Sequence, residues 1–154
     1  MRDDKAAEAH AEAEACPVAR SVNVIGDRWS LLIVRDAFDG MRRFSDFQRN
    51  LGMARNVLAD RLRRLVEAGI LDQQPASDGS AYQEYVLTPR GEELFPVVVA
   101  LRQWAESHLF TQGEPHSDLV ERTSGKPIPR MVPRAHDGST LMPHDAEVRK
   151  LAGR

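Results

Sequence analysis

The sequence predicts a mainly α-helical fold with one small β-hairpin (α+β), and three observations carry that reading. Two amphipathic helix patterns stand end to end between residues 44 and 68, each followed by glycine. Two short extended runs come next, around 70–74 and 82–87, joined by a polar loop that holds Asp78-Gly79, a hairpin signal. A long apolar helix pattern then starts at Thr88-Pro89. Helix, turn, helix, hairpin is the order of a winged helix-turn-helix.

Taken in chain order, residues 1–15 are charged and Ala-rich without an apolar stripe. They read as a flexible tail or frayed helix, and not as a targeting signal. Pro17 suits the first position of a helix whose Val18, Val22 and Ile25 share a face, and Gly26 ends it. A second helix, 29–38, is apolar nearly all round through Leu31, Leu32, Ile33 and Val34, which suits the buried centre of a domain. Ser45 stands where an N-cap would, with Gln48 three residues on to complete a capping box. A short helix carrying Phe47 and Leu51 is therefore expected from there to Gly52.

The next helix, about 54–68, turns Leu58, Leu62 and Leu65 inward, and Gly69 is placed for a left-handed C-cap. Its opposite face carries Asn56, Asp60, Arg63 and Glu67, flanked by Ala59 and Arg64. That face can read bases: Asn matches adenine, the Arg fork matches guanine, the Ala methyl meets thymine, and Asp60 accepts from cytosine or clamps Arg64. It equally fits a solvated surface with Asp60–Arg64 and Arg63–Glu67 pairs. From Arg42 to Arg64 stand Arg42, Arg43, Arg49, Arg55, Arg61, Arg63 and Arg64 against Asp46 and Asp60. The local balance is +5 in a chain whose net charge is −2, which favours contact with phosphate. The candidate DNA-binding residues are thus Arg42, Arg43, Ser45, Arg55, Asn56, Ala59, Asp60, Arg61, Arg63 and Arg64, with double-stranded DNA as the partner.

The final helix, 89–109, carries Leu94, Val97, Val98, Leu101, Trp104, Ala105 and Leu109 on a stripe too wide for one chain to cover, with Pro96 expected to kink it. A second copy would cover it, so a homodimer joined largely by its terminal helices is the expected assembly. Trp29, Trp104 and His108 are candidates for the dimer seam or for lining an effector cavity. From 111 the pattern breaks into Gly, Pro and polar residues, a hairpin-like extension with a mobile end.

The ordered features Cys16-Pro17, Ile25-Gly26-Asp27-Arg28-Trp29, Arg43-Phe44, Leu62 to Leu71 around Glu67-Ala68-Gly69, and Glu84-Tyr85 through Leu87-Thr88-Pro89-Arg90-Gly91 resemble the bacterial HxlR-type transcriptional regulators, relatives of the MarR group. The resemblance covers Cys16 to about Phe110 and implies a winged-helix domain over 16–110, a dimer and operator binding. It also makes Cys16 a candidate sensor of oxidants or electrophiles, as in some members. A thiol at a helix N-terminus, with Arg20 one turn on, favours the thiolate, while a small apolar residue at the seam fits as well.

Two departures stand out. The family's wing usually carries a basic residue, whereas 75–83 holds Asp78 and no Lys or Arg, which weakens a minor-groove contact. Related members often end in a ribbon with zinc-binding His and Cys. Here Glu121, Ser124, Arg134 and Asp137 occupy those places, so 111–154 is expected to be a degenerate zinc-ribbon-like hairpin without metal or other cofactor. His116, His136 and His144 lack ligand spacing and read as solvated loop residues.

Enzyme signatures are absent: no Gly-x-Ser-x-Gly elbow, phosphate-binding glycine loop or His-Glu-x-x-His pair occurs. No run approaches the roughly 20 apolar residues of a membrane span, and the lone cysteine fits a reducing compartment, so a cytoplasmic site is expected. The reading is a sequence-specific repressor on an inverted-repeat operator, with oxidant or small-ligand response open. The alternative is a winged-helix module for protein contact alone.

Overall fold

The computed structural model describes residues 14–150. These form two compact units that divide between Phe95 and Pro96. The first contains α1 (Pro17–Ile25), α2 (Arg28–Phe38), α3 (Phe44–Leu51), α4 (Arg55–Glu67), β1 (Leu71–Pro75), β2 (Gln83–Leu87) and α5 (Pro89–Glu92). Helix α6 (Phe95–His108) begins at the division, and the second unit continues through a 3-10 turn at Pro143–Asp145. The start expected to be a tail falls mostly on residues outside those described, though Glu14 and Ala15 are helical.

The core of the first unit follows from the helix periodicities. Leu58, Leu62 and Leu65, one stripe of α4, are buried together with Ile33 and Val34 of α2, Phe47 of α3, and Ile70 and Leu71 at the start of the hairpin. Helix α2 packs on α3, α4 and β2, which makes it the hub of the unit. It is not purely apolar inside. Asp36 is fully buried, accepts from Nδ2 of Asn50 at 2.8 Å, and is paired with Arg35 at 2.6 Å. A buried carboxylate without such partners would be costly, so this contact ties α3 to the hub. Among the described residues no helix is long and apolar enough to cross a membrane.

The hairpin is antiparallel, with Leu71 opposite Leu87, Gln73 opposite Tyr85 and Pro75 opposite Gln83. Both strands sit within one residue of their expected positions. An addition not foreseen is a third edge: Arg43 bridges Glu84, and the Tyr85 amide donates to the Arg42 carbonyl at 2.7 Å. This pairing corrects the expected cap of α3. It holds residue 43 extended (φ −92°, ψ 146°), so Arg43 becomes the N-cap and the helix starts at Phe44. Ser45 lies inside the first turn and caps nothing, and Gln48 donates to the Met53 carbonyl instead of reaching back.

The final helix is also corrected. It is not one rod kinked at Pro96 but two helices, α5 and α6. Thr88 caps α5 by accepting from the Gly91 amide at 3.0 Å, and the chain turns at Glu93 and Leu94. Pro96 is the second residue of α6, where a missing N–H leaves no acceptor unserved.

In the second unit, Val99 is the buried residue of α6. It shares a small cleft with Leu119, Pro127 and Ile128. Gln103 fastens the extension to this helix, donating to the Pro129 carbonyl (3.1 Å) and accepting from the Met131 amide (2.8 Å). Two isolated bridges, Val120 with Pro127 and Arg134 with Thr140, close tight loops whose glycines, Gly125 and Gly138, have positive φ.

Candidate nucleic-acid interface

Helix α4 supplies the candidate reading face. Its inward leucines fix its rotation, so Asn56, Ala59, Arg63 and Arg64 are exposed along the opposite side. Gly52, at φ 63°, supplies the left-handed turn before it, and Gly69, at φ 72°, ends it. Arg55, in the first turn, lays its guanidinium 5.0 Å from the Phe44 ring, a cation–π contact that joins the starts of α3 and α4. Ser45 is exposed on α3 beside them in sequence.

The electrostatics differ from the count in the sequence. Residues from outside the Arg42 to Arg64 stretch bring four more carboxylates to it. Arg42 lies 3.6 Å from Glu84, Arg43 pairs with Asp78, and Arg61 lies 3.2 Å from Asp27. Arg63 lies 2.7 Å from Glu67, and Arg49 pairs within the stretch with Asp46 at 2.6 Å. Among the described residues, Arg55 alone of the seven arginines has no ion pair.

Asp60 is the centre of this network. Its carboxylate receives Arg61 Nη1 and Arg63 Nη2 at 2.8 Å each and Arg64 Nε at 3.0 Å. The hydrogen bond from Arg63 is the main reason its pKa falls below the ordinary aspartate value, and the same bond, with Glu67, raises that of Arg63. Arg61 is turned away from the exposed side. It bridges Asp60 to Asp27, the N-cap of α2, so it fixes how α4 sits on the hub. Asp27 itself accepts from the amides of Trp29 and Ser30. Burial pushes its pKa up, but the Ser30 hydrogen bonds, with Arg61 and Trp29, outweigh that and bring it below normal. Neither Asp27 nor Asp36 stood out as a functional residue in the sequence, although Asp27 just before Arg28-Trp29 has the form of an N-cap signal.

At the wing the acidic tip is not bare. Asp78 accepts from Arg43, whose guanidinium also lies 5.5 Å from the Tyr82 ring, and from the Ser80 amide at 3.0 Å. Arg43 therefore places a cation on the hairpin from the start of α3, 35 residues away in sequence. Hydrogen bonds from Ser80 first, then Arg43, hold the Asp78 carboxyl at about 2 against an ordinary 3.8. Its folded pKa is depressed, so the stabilisation is present above the unfolded value and lost as pH falls through about 2. The Asp78 carboxyl carbon followed by NMR is expected to titrate near that value, and Arg43→Ala to move the midpoint back toward 3.8. A wild-type midpoint near 3.8 would show the tip to be unpaired.

The other candidates are scattered. Cys16 is the half-buried N-cap of α1, and its side chain makes no cap hydrogen bond. Arg20 donates to the Glu14 carbonyl. Trp29 is half-buried with the Arg28 guanidinium 5.0 Å from its ring. In the second unit the Trp104 and His108 rings meet at a 47° tilt with centres 5.5 Å apart on the exposed side of α6. Glu121 accepts from the Ser124 hydroxyl, Arg134 donates to the Gly138 carbonyl, and Asp137 accepts from Ser139, so these side chains close turns by hydrogen bonding. Among the described residues no His, Cys, Asp or Glu cluster could hold a metal ion.

Comparison with known proteins agrees with this geometry. The HxlR-like helix-turn-helix family matches residues 24–112. An uncharacterised HTH-type transcriptional regulator of Mycobacterium bovis, Mb3122, is 42% identical over 116 residues, 75% of this chain and 73% of that protein. Among solved structures, the candidate transcription factor PA1607 is 56% identical with a TM-score of 0.83, covering 87% of this chain and 94% of its own. The redox regulator HypR in its oxidised form is 31% identical with a TM-score of 0.56, covering 62% and 100%. These relatives are transcriptional regulators and not enzymes, and the chain belongs to the HxlR-like helix-turn-helix family of DNA-binding transcriptional regulators.

Proposed function

We propose that the protein is a homodimeric repressor that acts in the cytoplasm on an inverted-repeat operator. The exposed face of α4, set by three buried leucines, carries this reading: Asn56, Ala59 and Arg63 meet base edges in the major groove, while Arg42, Arg43, Ser45, Arg55 and Arg64 meet the backbone. Arg61 and Asp60 position the others. The dimer is supported by apolar side chains left in solvent, Val18 and Val22 on α1 (70% and 56% exposed) and Val97, Leu101 and Trp104 on α6. The winged-helix domain spans 16–110, and 111–154 is a metal-free extension whose turns are closed by side-chain hydrogen bonds. Likeness to HypR, a redox regulator, supports Cys16 as a sensor whose oxidation weakens operator binding. Trp29, Trp104 and His108 would line the seam or an effector site.

Genomic fragments selected by the purified protein supply the operator. On it, Asn56→Ala and Arg63→Ala are each expected to cost about 1–3 kcal/mol and to relax preference at one base pair, with thermal unfolding unchanged. Wild-type discrimination in both variants would overturn the assignment of α4. No binding to any duplex would favour the protein-contact module instead.

A further inference from the structure

We propose that Asp60 is a specificity gate on the reading helix: it holds the arginines of that face in ion pairs that an operator replaces fully and random DNA does not. The proposal rests on α4 being the reading helix. One carboxylate sits among three guanidiniums, two of them, Arg63 and Arg64, on the exposed side. Glu67 occupies the second edge of Arg63, so both faces of that fork are engaged before DNA arrives. Glu67 and Asp27, with Asp60, balance Arg61, Arg63 and Arg64 charge for charge.

The physical consequence concerns discrimination more than affinity. A phosphate reached in random sequence gives an arginine one new ion pair, but the arginine must leave an existing one and the phosphate must approach Asp60. The net gain is small. A guanine at the right register offers Arg63 two aligned acceptors in a site from which water is excluded, which outweighs the exposed pairs it gives up. Repulsion of wrong partners is thus built into the same face that reads the right one. Asp60 serves equally well if it accepts from no base at all, which separates this role from direct cytosine readout.

The test compares wild type, Asp60→Asn and Glu67→Gln on the selected operator and on random duplex across a salt series. Asp60→Asn keeps the shape and removes the charge. It is expected to raise affinity for random duplex by roughly tenfold, steepen its salt dependence by about one to two phosphates, and shrink the ratio of operator to random binding. Glu67→Gln is expected to act in the same direction more weakly. In an Arg63→Ala, Arg64→Ala background the gain from Asp60→Asn should drop to that of simple charge removal. Unchanged random-duplex affinity in a folded Asp60→Asn, or a loss confined to the operator, would overturn the gate while leaving α4 as reader. A wild type that does not distinguish operator from random duplex would overturn the reading of α4 itself, and the gate with it.

Discussion

Leu101→Asp is expected to convert the protein into a folded monomer and to lower operator affinity by roughly 100-fold or more. On α6 the positions Val97, Leu101, Trp104 and His108 recur at four, three and four residues, the spacing of one helix face, and they are 41%, 49% and 56% exposed for the first three. Val99, on another side of the helix, is buried, so an aspartate at 101 removes nothing from the core of the second unit. It does place a charge where a second copy would have to bury it, and an unpaired buried charge is prohibitive. Two-fold symmetry would set two α4 helices about 34 Å apart, one turn of DNA, and a monomer engages only one half-site. Sedimentation at micromolar concentration and operator titration read both effects. A dimer with undiminished affinity after the substitution would remove α6 from the seam.

What the sequence disclosed, and what it withheld, divides along sequence separation. Leu58, Leu62 and Leu65 were legible because the helix period is local, and all three are buried. Gly52 and Gly69 were legible because a left-handed residue at a helix end favours glycine. The cap of α3 was misread because Ser45 and Gln48 have the local form of a capping box, while the winning interaction is the bridge from Arg43 to Glu84, 41 residues on. Charge behaved the same way. Helix spacing paired Arg63 with Glu67, but counting along Arg42 to Arg64 missed Asp27, Asp78 and Glu84, which only the fold delivers to it. The supposedly bare wing tip is one case of this: Asp78 is met by an arginine from the start of α3. Pro96 was misread for a different reason, since proline at a helix start and proline inside a helix look alike until the break before it is known.

Gly91→Ala is expected to be the most destabilising small substitution in the first unit, at about 3 kcal/mol or more, with the melting temperature lowered by roughly 6–12 °C. A Cβ at this position would stand 2.1 Å from the Ile70 carbonyl oxygen and 3.1 Å from both the Ile70 carbonyl carbon and Leu87 Cδ2. The oxygen cannot move aside cheaply, because it accepts from the Thr88 amide at 3.0 Å and from the Thr88 hydroxyl at 3.2 Å. Thr88 in turn caps α5 through the Gly91 amide and donates to the Gly69 carbonyl, so one threonine joins the end of the α4 turn, the residue just before β1 and the start of α5. Backing α5 away to make room would break this set together and loosen the wing that Leu71 and Leu87 anchor. Gly79→Ala is the informative contrast. Gly79 has φ 75° and open space around it, so its substitution is expected to cost only the left-handed strain, about 1 kcal/mol. Thermal unfolding of the two variants side by side gives the measurement. A Gly91→Ala protein that melts within about 2 °C of wild type, or one no less stable than Gly79→Ala, would show that the contact between α5 and Ile70 is looser than this packing requires.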